Sequence, residues 1–109
     1  MTWTILLFES KRGEKPVENF IKDQPPKALA KILHQINLLQ TYGSLLGMPH
    51  AKFLRRGIHE LRIRGKDEIR IFYTFRKHSI YLVHGFKKQS QKTPAKELLI
   101  AISRSETLT

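Results

Sequence analysis

GIHELRIRGKDEIRIFYTFRKHSIYLVHGFKKQSQKTP, residues 57–94, decides how this chain folds. Apolar and polar residues alternate through it with the period of a strand. Ile69, Ile71, Tyr73 and Phe75 fall on one face of its middle segment; Glu68, Arg70, Phe72, Thr74 and Arg76 fall on the other. Gly65-Lys66-Asp67 and Lys77-His78 punctuate the alternation as tight polar turns. The pattern predicts three strands, at roughly 58–64, 68–76 and 79–86, that neighbour one another antiparallel. In the first, Glu60, Arg62 and Arg64 share one side, and Leu61 and Ile63 the other. If both apolar sets face the core, Arg62, Arg64 and Arg70 emerge together on an open cationic face. The third strand is apolar on both sides, as in a strand covered on both faces, so periodicity does not say which of Lys87 and Lys88 points into the cleft.

The flanks supply the rest of an α+β domain. Residues 2–8, rich in β-branched and aromatic side chains, read as a first strand. Pro16, Val17, Phe20 and Ile21 predict a short helix over 16–22, broken by Asp23-Gln24-Pro25-Pro26. Ala28, Leu29, Ile32, Leu33, Ile36 and Leu39 form an apolar stripe over about 26–41, stopped at Tyr42-Gly43. The two helices read as a hairpin on the core face of the sheet. Within the connection 43–57, Lys52-Phe53-Leu54 reads as a short extended piece and Arg55-Arg56-Gly57 as a turn. Thr93 and Pro94 predict the cap and first position of a C-terminal helix carrying Leu98, Leu99, Ala101 and Ile102. Expected overall is a single domain, residues 1–109, with a helical hairpin on a mostly antiparallel four-stranded sheet and a C-terminal helix.

Charge narrows the function. The 109 residues carry a formal net charge of +11. Residues 1–44 hold six Lys and Arg against four Asp and Glu, whereas residues 45–109 hold fourteen against five. An excess concentrated in the strand-rich half points to a polyanion. No cysteine is present, which excludes disulfides and thiolate metal sites. No HExxH, phosphate-binding glycine loop or dinucleotide fingerprint occurs, and the five histidines lack ligand spacing, so no metal or cofactor is expected. The chain shows no secretion signal or membrane span, and a cytoplasmic location is expected.

Metal-free chemistry on a phosphodiester needs only orientation, proton transfer and charge stabilisation when the substrate is RNA, which carries its own 2′-hydroxyl nucleophile. Arg70, Arg62, Lys87, Lys88 and His84 are the candidates for that chemistry. A lysine crowded by other cations titrates low enough to move a proton. Arg64 and Lys92, with Lys52, Arg55 and Arg56 from the connection, are the candidate RNA-binding cations.

The runs Gly57-Ile58-His59-Glu60-Leu61-Arg62-Ile63, Ile69-Arg70-Ile71-Phe72-Tyr73, His84-Gly85-Phe86-Lys87-Lys88 and Gln91-Lys92-Thr93-Pro94 resemble the phage-derived, HigB-like branch of the RelE/ParE toxin superfamily. The likeness extends over about residues 5–104. It implies a RelE-like fold and the toxin half of a type II toxin–antitoxin pair. It further implies ribosome-dependent, metal-independent mRNA cleavage, with Arg70 on phosphate and Lys87, Lys88 and Lys92 as the basic segment. The implied partners are a helix-turn-helix antitoxin, mRNA on the ribosome and, through the antitoxin complex, promoter DNA. The Tyr or His that some relatives carry near the last helix is replaced here by Thr93-Pro94, which leaves the general acid open. A ParE-like attack on DNA gyrase and a non-catalytic nucleic-acid-binding role are the alternatives.

Overall fold

The computed structural model describes residues 2–89 and 92–108. Its elements run β1 (Thr4–Leu7), α1 (Pro16–Lys22), α2 (Pro26–Tyr42), β2 (Ala51–Arg55), β3 (Ile58–Ile63), β4 (Glu68–Arg76), β5 (Ser79–Lys88) and α3 (Ala95–Ser105). The sheet has five strands in the order β1-β5-β4-β3-β2. β2 to β5 pair antiparallel, and β1 lies parallel to β5.

The expected four-stranded sheet is therefore one strand short. The extended piece around Lys52-Phe53-Leu54 is the edge strand β2, paired with β3 from Ala51↔Leu61 to Arg55↔Ile58. Its cationic, largely exposed residues hide it from a search for apolar alternation, because an edge strand on this sheet buries little. The β2–β3 turn places both Arg56 and Gly57 at positive φ, 51° and 76°, the geometry that matches strand twist in a two-residue hairpin.

Each face of the sheet carries its own core. α1 and α2 bury Val17, Ile21, Ile32 and Leu39 against Leu61, Ile63, Ile69, Ile71, Tyr73, Ile80 and Leu82. α3 buries Leu98, Ala101 and Ile102 against Ile58, Phe72, Val83 and Phe86, with Phe8 joining from the end of β1. A register shift explains why β5 is apolar on both sides. Phe72 pairs with His84 while Tyr73 pairs with Leu82, so Val83 is an extra residue and the alternation changes phase there. Ile80 and Leu82 thus face α1 and α2, and Val83, His84 and Phe86 serve the α3 side.

Candidate functional site

Strand register assembles the site. Residues directly opposite in an antiparallel pair share a face. Arg62 stands opposite Arg70 and Phe86 beyond it; Lys52, Glu60 and Phe72 form the next row; Glu68 and Lys88 form the row on the other side. Arg62, Arg70 and Lys88 therefore share the α3 side of the sheet. Lys87, opposite Ile69, projects to the other side, where its ammonium lies 3.6 Å from Asp67.

Two arginines facing each other across a ladder repel. Glu60 lies between them and offsets this. Its Oε1 is 3.3 Å from Arg62 Nε, and its Oε2 is 3.7 Å from Arg70 Nε. Arg70 donates from Nη2 to Glu68 Oε1 at 2.9 Å and from Nη1 to the Ile69 carbonyl at 3.0 Å. Arg64 reaches the same Glu68 oxygen at 3.5 Å. Only 3% of the Arg70 side chain and 1% of the Glu60 side chain are exposed. Charges removed from water need such partners, and a buried pair missing one member is strongly destabilised. Arg70 Nε still lacks a hydrogen-bond partner.

The expectation of an open cationic face is thus corrected. The cations do share one side, but two carboxylates neutralise its centre and the chain leading into α3 closes over it. Thr93 is part of that closure. Its hydroxyl, expected to cap α3, instead donates to Glu60 Oε2 at 2.9 Å. The helix begins at Ala95 with Pro94 in the cap position and no side-chain cap.

Around this buried centre stand more accessible cations. The Arg62 side chain keeps 14% exposure, and Nη1 lies 3.7 Å from Met48 Sδ. Burial lowers the Lys88 ammonium below the ordinary lysine range, and the nearby positive charge of Arg70 and then Arg62 lowers it further, against the pull of Glu60 and Glu68. Lys52 is exposed on the same side at the sheet edge, and Lys92 is exposed just before α3. Arg55 and Arg56 are exposed at the other end of β3, about 13 Å along the strand from Arg62 at the usual rise per residue. They do not join the cluster.

His84 lies one row inward and belongs to α3. Its Nε2 is 2.6 Å from Glu97 Oε1 and its Nδ1 is 3.2 Å from Arg104 Nη1. Arg104 can only donate, so Nδ1 accepts and the ring proton on Nε2 goes to Glu97. Burial pulls the imidazole below its ordinary value, the Glu97 hydrogen bond opposes this, and the Arg104 charge adds to it. Arg104 also donates to the Val83 carbonyl at 2.9 Å and lies over the Phe8 ring at 5.5 Å. Both ring nitrogens are occupied, and the residue pins α3 to β5.

Glu60, Thr93, Glu97 and Arg104 are the participants that sequence reasoning passed over. Glu60 had a signal: it is the one carboxylate of its strand, at strand spacing from Arg62. The others depend on where α3 docks. Among the described residues, no group of three or more His, Asp or Glu is placed to hold a metal ion. None of their helices is long and apolar enough to cross a membrane.

An α+β domain with a carboxylate-braced arginine pair on one face of its sheet is the class these features define. The family model for the phage derived protein Gp49-like (DUF891) family matches residues 19–106. The chain belongs to this family, a toxin-like family of the RelE/HigB type. A search of the curated proteins finds no match.

Proposed function

We propose that this protein is the toxin of a type II toxin–antitoxin pair and cleaves mRNA engaged on the ribosome, without a metal ion. The observation that carries this reading is the convergence of Arg62, Arg70 and Lys88 around Glu60 on one side of the sheet. In the proposed reaction the RNA 2′-oxygen bonds to the adjacent phosphorus and the bond from phosphorus to the 5′-oxygen breaks. The products are a 2′,3′-cyclic phosphate and a 5′-hydroxyl.

Lys88 is the candidate base for the 2′-hydroxyl proton, because its environment favours the neutral amine more than water does. Arg62 meets the phosphate, where developing negative charge rewards fixed cations, and Lys52 at the sheet edge and Lys92 before α3 are the flanking cations that hold the strand. Arg70 works from behind: it holds Glu60 and Glu68 in place and contributes its field. The leaving oxygen takes its proton from water in this scheme. The ring nitrogens of His84 are both engaged, and Tyr73 faces the α1–α2 core with its phenol pushed up to about 12 by burial.

The burial of Arg70 favours a second reading, a nucleic-acid-binding relative that does not cut. Expression in a bacterial host with mapping of RNA ends separates the two. The catalytic reading expects growth arrest and new 5′ ends confined to translated messages, both lost in Arg62→Ala and Lys88→Ala. Arrest with intact messages overturns it. Family membership points to an antitoxin as the partner that relieves the arrest.

A further inference from the structure

On the side of the sheet away from Arg70, the first turns of α2 and the β3–β4 turn (residues 64–67) face each other across a groove. Two adjoining clefts, of about 470 and 530 Å³, share Lys31, Ile63 and Arg64. The floor of the larger is apolar, with Pro25, Ala28 and Ile63; the rim is Lys27, Lys31, Arg64 and Lys66, with one carboxylate, Asp67, which lies 3.6 Å from the Lys87 ammonium. Lys27 and Lys31 are one helical turn apart and project from the same face. The Lys31 ammonium crosses to the far bank, where a Cβ added to Gly65 would lie 2.6 Å from it.

Of the cations nearby, Arg62, Arg70 and Lys87 each have a carboxylate within 4 Å, and on the groove itself Arg64 lies 3.5 Å from Glu68 Oε1. Among the described residues no carboxylate pairs with Lys27, Lys31 or Lys66, although all three are exposed on one groove. A cationic rim alone would suit RNA phosphates. The floor argues otherwise. In the larger cleft it presents no aromatic ring on which a base could stack, and the hydroxylated sugar of a nucleic acid is a poor match for an apolar floor. A peptide that alternates carboxylates with an aliphatic side chain complements both parts.

We infer that this groove docks an acidic segment of a partner protein. Its Asp or Glu side chains pair with Lys27, Lys31, Arg64 and Lys66, and one of its aliphatic side chains is seated between Pro25, Ala28 and Ile63. The inference goes beyond RNA cleavage and does not depend on it, since Lys27, Lys31 and Lys66 take no part in the cluster around Glu60, although Arg62 also lines the smaller cleft.

The test uses the full chain and a fluorescein-labelled peptide of alternating Glu and Leu, read by fluorescence anisotropy. The triple variant Lys27→Ala, Lys31→Ala, Lys66→Ala is compared with a charge-matched control, Lys11→Ala, Arg12→Ala, Lys15→Ala. Ion pairs at partly exposed sites predict about tenfold weaker binding for the groove variant and less than about twofold for the control. Replacing every Leu of the peptide by Ser is expected to weaken binding by a similar factor, which isolates the floor. Equal weakening in the two triple variants would overturn the inference. So would equal affinity for the Leu and Ser peptides, the absence of saturable peptide binding, or displacement of the peptide by an RNA duplex that itself needs the groove lysines. The readout is peptide affinity, so it gives the same answer whether or not the chain cuts RNA.

Discussion

At the scale of single residues, Arg70 and Arg62 do different work although they stand opposite each other. Arg70 is sealed between Glu60, Glu68 and the Ile69 carbonyl. Removing it strands a buried carboxylate, so Arg70→Ala is expected to cost about 3–5 kcal/mol in urea unfolding. Arg62 sits at the rim, and Arg62→Ala should cost only about 2 kcal/mol, the scale of one charged hydrogen bond. Loss of activity in the first variant therefore reports folding as much as chemistry, and the second is the cleaner probe. His84 gives a pH prediction. Its folded-state pKa is lowered from 6.5, so below that value the unfolded chain binds more protons than the native one. Stability is fully present above pH 6.5 and declines as pH falls through the folded value. His59, lowered by burial, acts in the same direction. His84→Gln should flatten the fall of the urea midpoint below pH 6.5 and leave the His59 share; an unchanged slope would remove His84 from this role.

At the scale of elements, docking contacts decide what pattern reading cannot. The helices and strands β3 and β4 were legible because each carries an uninterrupted period, and β5 because short polar turns and a dense apolar run mark it, bounded as the others are by Gly, Pro or polar residues. The phase change at Val83 was not, since a bulge depends on how β5 pairs with β4 rather than on β5 itself. The cations of the site were legible as residue types on one strand face. Their burial was not, nor was the engagement of His84, because Thr93, Glu97 and Arg104 meet the sheet only when α3 docks. That docking is testable at Thr93. Thr93→Val keeps the shape and deletes the bond to Glu60, with an expected loss of about 1–3 kcal/mol. At the other end of the sheet, Gly43 holds φ at 51°, and a Cβ there would lie 1.8 Å from Trp3 Nε1. The Trp3 backbone is also tied to α2 through Gln40 at 3.0 and 3.1 Å. Gly43→Ala must therefore displace the indole as well as strain the backbone, and a loss of more than about 1 kcal/mol of stability, read as a lowered Tm, is expected.

At the scale of the whole molecule, the cations behind the +11 charge are held in two different ways. The α3 side braces Arg62 and Arg70 with carboxylates and leaves Arg62, Lys88 and Lys92 near the surface, whereas on the α2 side, among the described residues, no carboxylate pairs with Lys27, Lys31 or Lys66. RNA affinity should fall steeply with salt, and Lys92→Ala should reduce the slope of log K against log salt by about 0.7, one phosphate contact on a single strand. The central claim, that the cluster around Glu60 cuts translated RNA, is met most directly in a cell-free translation extract programmed with one defined message. The account predicts fragments ending in 2′,3′-cyclic phosphate and 5′-hydroxyl, present only while ribosomes are translating and absent with Arg62→Ala or Lys88→Ala. An intact message in an arrested extract, or the same fragments from both variants, would contradict it.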